Sequence, residues 1–118
     1  MHMNDTLVAD VVTFAKTEFQ NETLTKVKKS KTQFQDIITA ASQATSLEEF
    51  KLYIAYKAAK AGSNDLWKDF GARLNMFVDE HIRNQDTDEK EKLKVLHQAM
   101  GYLMWAAYAA SAEVLDHV

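Results

Sequence analysis

Three features of the 118-residue sequence predict an all-α fold, a compact bundle of about five helices. There is no proline, and glycine occurs only at 62, 71 and 101. No stretch alternates apolar and polar residues long enough to read as a strand. Scarce breakers and short polar gaps suit helices joined by tight connections. The length fits one domain over residues 1–118 with a core of its own and no staples. His2, in the opening Met-His-Met, is given no functional weight.

A first helix begins at Asn4 or Asp5, either of which can cap it. Leu7, Val8, Val11, Val12, Phe14, Ala15 and Phe19 follow the spacing of one helical face. The polar run from Gln20 to Thr25 reads as a break. Ser30 with Gln33 matches a capping box, ahead of the stripe Phe34, Ile37, Ile38 and Ala41. Ser46 with Glu49 is a second box, opening a helix that carries Leu47, Phe50, Ile54, Ala58 and Ala61, with Gly62 as its left-handed stop. A fourth helix starts at Asn64 or Asp65 and runs to about Asn84. Its face is Leu66, Phe70, Leu74, Phe77, Val78 and Ile82, with Trp67 on the shoulder. Asp86 with Glu89 marks the last start. From Val95 to Ala112 this helix is apolar almost all round, so it belongs at or near the centre of the bundle, or is shared with a neighbouring molecule.

Several chemistries are excluded by what is missing. Without cysteine there are no disulfides, no thiolate nucleophile and no Cys-based zinc site. The histidines, at 2, 81, 97 and 117, form neither an HExxH nor a repeated Glu-x-x-His motif, and there is no phosphate-binding glycine loop. No cofactor or metal is expected, and the chain does not read as an enzyme. Asp79-Glu80-His81 reads as a polar helix face with His81 at the core edge, and His97 as a core or interface histidine. Trp67, Tyr102, Trp105 and Tyr108 read as core aromatics rather than a ligand pocket. The segment 99–110 is too short to span a bilayer, and no signal peptide is visible, so the protein reads as soluble and cytoplasmic.

The formal charge of −3 is unevenly spread. Residues 1–62 hold eight lysines against seven carboxylates; residues 63–118 hold six basic residues against ten. The positive excess lies at Lys26, Lys28, Lys29 and Lys31. If Ser30 starts a helix, these lysines crowd its N-terminus, where cations stabilise poorly and a bound anion is favoured. A second concentration is Tyr53, Tyr56, Lys57 and Lys60, which fall within about 100° of one another on a helix. Lysines beside tyrosines on a groove rim suit single-stranded nucleic acid, the ammonium groups meeting phosphates and the rings meeting bases. The plainer reading is lysines whose stems border a core.

The stretches SKTQFQDII, YIAYKAAK and YLMWAAYAA, in this order over roughly residues 26–110, resemble the small helical subunit of type III-A CRISPR effector complexes. Lys60 stands where that family usually has arginine, and Gln35 stands where its first motif has one. Small subunits of type I and type III-B complexes share the helical character. The resemblance implies a non-catalytic subunit that stacks with copies of itself and other effector subunits. It would hold guide RNA and single-stranded target RNA by backbone contacts, base pairing supplying the specificity. The candidate RNA contacts are Lys26, Lys28, Lys29, Lys31, Tyr53, Tyr56, Lys57 and Lys60. Two other classes compete: a helical protein–protein adaptor or inhibitor, of phage-antagonist or antitoxin type, without RNA contact, and a small-molecule sensor using the aromatic residues of the last helix.

Overall fold

The computed structural model describes residues 3–118, with side chains from Thr6 onward, and among these residues there is no strand. His2 lies outside them. Helix α1 spans Met3–Glu18, so Asn4 and Asp5 lie inside it rather than ahead of it. Leu7, Val11, Ala15 and Phe19 are buried at four-residue spacing, one line along a single face.

The expected break after Phe19 is real but brief. Gln20 is extended, and Asn21 takes a φ of 56°, the left-handed region that asparagine tolerates better than most residues. The chain then turns helical again as α2, Asn21–Ser30. The run read as a break is therefore a helix, anchored by buried Val27 and half-buried Leu24. A 3₁₀ turn, Lys31–Gln33, joins it to α3, Phe34–Gln43, which buries Phe34, Ile37 and Ala41. Ser30 makes no side-chain cap, so the box expected with Gln33 does not form.

The second box does form. Ser46 Oγ accepts from the Glu49 N–H at 3.0 Å, and the Glu49 carboxylate turns back to the Thr45 N–H at 3.2 Å. It opens α4, Leu47–Lys60. The Leu47 N–H, one of the groups a helix start leaves unpaired, donates to Glu89 at 2.8 Å. Helix α4 ends with Ala61 extended and no glycine at positive φ, so Gly62 is not a left-handed stop. Asp65, two residues ahead of α5, Trp67–Val78, accepts from the Trp67 N–H at 3.0 Å. A π-helical turn, Asp79–Arg83, prolongs α5. Lys51 donates to Asp79 at 2.7 and 2.9 Å, fastening this turn to α4. Helix α6, Glu89–Ser111, is capped by Asp88, which accepts from Glu91 N–H at 2.8 Å, two residues later than Asp86 would place it.

Helix α6 packs against α1, α2, α3 and α4, which makes it the central element, as its composition suggests. Helices α4 and α5 form a hairpin beside it. A methyl group at Gly71 would stand 3.1 Å from the Ala58 Cβ, so glycine sets how closely these two helices approach. The molecule measures 37 × 34 × 20 Å, about two helix diameters thick. Six aromatic side chains from α1, α3 and α5 and the turn after α1 knit the centre. Phe34 and Trp67 lie 5.3 Å apart, Phe19 and Phe70 5.4 Å, and Phe14 and Phe77 4.8 Å between ring centroids. Trp67 is 2% exposed, buried rather than on a shoulder. A short 3₁₀ turn, Leu115–His117, follows α6 and tucks Leu115 into the core.

Candidate nucleic-acid interface

The tyrosines and lysines of α4 converge as their spacing predicts. Lys57 Nζ lies 4.9 Å from the Trp67 ring centroid and 5.8 Å from that of Tyr53; Lys60 Nζ lies 5.0 Å from that of Tyr56. At these distances each ammonium group is drawn to a ring face while keeping its charge. The indole N–H of Trp67 donates to Gln33 Oε1, which ties the 3₁₀ turn to the same place. Gln33, Tyr53, Tyr56, Lys57, Lys60 and Trp67, with Asp65, line an open groove of about 350 Å³. Tyr56 is 55% exposed and Lys60 exposed, while Tyr53 and Lys57 are half-buried.

Tyr53 marks the acidic border of this groove. Its phenol is pushed up from the ordinary value of 10.0, first by burial and then by the Asp36 carboxylate and Tyr56. On its other side Tyr53 joins Asp36 and Glu49 in a neighbouring groove of opposite sign. The positive surface thus runs from Tyr53 toward Lys60, not in the other direction.

The lysine run has a different setting from the one expected. Lys28 and Lys29 occupy the last turn of α2, a helix C-terminus, where cations favour the exposed carbonyls. The reading of these lysines as a lead-in to a helix N-terminus is therefore corrected, because the segment before Ser30 is itself helical. Lys28 pairs with Glu113 at 3.6 Å, and Lys31 Nζ lies 5.3 Å from the Tyr108 ring. Lys29 is exposed and Lys26 half-buried. Lys28 and Lys31 are thus oriented by the end of α6, whereas Lys57 and Lys60 are oriented by Trp67 and Tyr56. The 3₁₀ turn joins the two groups, with Lys31 directed to one and Gln33 to the other. Gln35 is exposed in the first turn of α3.

Other candidate positions resolve differently. His81 Nδ1 lies 3.3 Å from Asp10, with its ring 4.6 Å from that of Phe77, so it sits at the core edge as expected. It lines a groove of about 300 Å³ between α1 and α5, beside the Arg73–Glu18 pair. His97 is exposed on α6, not in the core. Trp105 is 67% exposed and Tyr108 43%, so the expectation that these aromatics are core is overturned. A nearly all-apolar helix does not announce which side faces out. Among the described residues no group of His, Asp or Glu side chains is arranged to hold a metal ion, and no helix is long and apolar enough to cross a membrane.

Comparisons with protein families, with characterised proteins and with solved structures find no match.

Proposed function

We propose that the chain is a non-catalytic small subunit of a type III CRISPR ribonucleoprotein effector, helping to hold guide and target RNA through sequence-independent backbone contacts. The observation that supports this reading is the groove at the end of α4, where Tyr56 and Lys60 are exposed beside Lys57 and Trp67. Ammonium groups steadied over rings are preorganised for phosphates, and an exposed tyrosine offers a stacking surface to any base. Lys31 and the exposed Lys28 and Lys29 extend positive charge past the 3₁₀ turn. The anion site once suggested by a helix N-terminus has no part in this reading.

The test is a titration of single-stranded RNA at two salt concentrations, with wild type, Lys57→Glu/Lys60→Glu and Lys28→Glu/Lys29→Glu/Lys31→Glu. If about four phosphates are neutralised, a roughly fourfold rise in salt weakens wild-type binding about fifty-fold. The α4 pair of changes should weaken it more than the α2 set, because Lys28 already has a carboxylate partner. Binding absent at low salt, or unmoved by both sets, would sink the proposal.

A protein–protein adaptor is the second reading, and one observation favours it: Trp105 stands in solvent beside Tyr102, with ring centroids 5.6 Å apart. Large exposed aromatic residues are typical anchors of protein interfaces. An adaptor would bind its partner equally well with Lys57 and Lys60 reversed in charge.

A further inference from the structure

We infer that the outer face of α6 is a two-fold contact between copies of this chain, with Trp105 of each seated over Gly101 of the other. Gly101 stands within a 23-residue helix, where glycine weakens the helix relative to alanine. Nothing inside the chain requires it, because a methyl group there would meet no atom within 4 Å. Gly71 is the opposite case, its missing methyl group being what admits Ala58. The open notch at Gly101 lies one turn from the most exposed aromatic ring of the described residues, Trp105. A hole and a knob one turn apart on one helix match each other when a second copy runs antiparallel, which is the requirement of an isologous contact.

The rest of the stripe fits the same register. At 100° per residue, Lys90, Lys94, Gln98, Gly101, Trp105 and Tyr108 fall within roughly 80° of one another. Placing Gly101 opposite Trp105 sets Gln98 opposite Tyr108. It also sets Lys94 opposite Ala112, at the helix end that carries Glu113 and Asp116. Lys90, Lys94, Glu113 and Asp116 are all exposed. Within the chain Glu113 pairs with Lys28 at 3.6 Å and Lys94 with Glu91 at 3.9 Å, so the charges that this register brings toward each other across the contact are Lys90 and Asp116, and the antiparallel helix dipoles align favourably. Beside Trp105, Val8 and Val12 of α1 with Tyr102, Ala109 and Val118 line an apolar cleft of about 240 Å³, which the second copy would cover. This inference does not rest on the RNA reading, since none of the α4 lysines takes part.

A stripe about five turns long is smaller than a standard interface, so the dimer is expected to be weak and concentration-dependent. Sedimentation equilibrium of the full chain, from micromolar to millimolar, tests it against Trp105→Ser, Gly101→Leu, Lys90→Glu and Lys90→Glu/Asp116→Lys. The wild type should dimerise reversibly. The first two changes should each weaken the dimer at least tenfold with an unchanged circular dichroism spectrum. Lys90→Glu should weaken it several-fold, and the charge swap should restore it. The proposal would be overturned by a wild type monomeric throughout, by a dimer indifferent to both Trp105→Ser and Gly101→Leu, or by no rescue from the charge swap. Growth beyond the dimer through Trp105 would also overturn it, because an isologous contact closes on itself.

Discussion

Around Trp67 the chain closes in from several sides. Phe34 comes from α3, Phe70 from the next turn of α5, Lys57 from α4 and the Gln33 carbonyl from the 3₁₀ turn. Around Trp105 only Tyr102 and a shallow apolar cleft attend the ring. The same side chain is the hub of the fold in one place and an outward-facing group in the other. The contrast teaches that aromatic content says little about burial until the neighbouring helices are known.

Removing each ring in turn separates the two settings. Trp67→Ala should cost about 3–5 kcal/mol, since it opens a cavity and strips Gln33 and Lys57 of their partner. Trp105→Ser should change the stability of the monomer by no more than about 0.5 kcal/mol. Urea unfolding of dilute protein measures both, and similar losses would mean that Trp105 is packed in solution. The glycines extend the contrast with a smaller effect. Gly101→Ala should stabilise the monomer by about 0.5–1 kcal/mol, because helix propensity improves and nothing is crowded. Gly71→Ala should destabilise it, because the Ala58 Cβ at 3.1 Å has no rotatable atom with which to move aside. Equal signs for the two would contradict the close approach of α4 and α5.

The smallest effect concerns Tyr53, on the border of the Trp67 region. Its folded-state pKa is raised above 10.0 by burial, then by Asp36 and Tyr56. The unfolded phenol therefore ionises first as pH rises, and the contribution of this group is present below 10.0 and declines from there until the folded phenol ionises too. Thermal unfolding of wild type and Tyr53→Phe across the alkaline range should show a shallower decline in the variant. Parallel curves would remove Tyr53 as a source of that decline.

Much of this architecture was legible in the residues. The faces of α1, α3, α4 and α5 follow from apolar spacing, and the Ser46 box from two side chains that satisfy each other's backbone groups. Helix α2 was not, because ten residues containing one buried aliphatic chain give almost no periodic signal. The spacing of Leu24, Val27 and Ser30, continued at Phe34, is the trace it leaves. Missing α2 misplaced the lysines, since whether a cation sits well depends on which helix end it occupies. The α4 groove was legible in part. Tyr53, Tyr56, Lys57 and Lys60 could be placed on one face, but Trp67 and Gln33 enter from distant sequence, and only tertiary packing supplies them. In α6 the difficulty was reversed: a helix apolar nearly all round conceals which of its sides is left uncovered.

Helix α1 lies against α6, and Lys16 Nζ reaches the Val118 carbonyl at 3.0 Å, so the two ends of the chain meet across 102 positions. Closing a loop of that length costs about 4 kcal/mol in chain entropy beyond the fixed term, whereas the α4–α5 hairpin closes across a handful of residues. The hairpin is thus suited to gather early, with the docking of α1 onto α6 as the late and slow event. A chain still lacking its last helix, as during synthesis, would leave exposed the part of the α1 face that α6 covers, until α6 arrives.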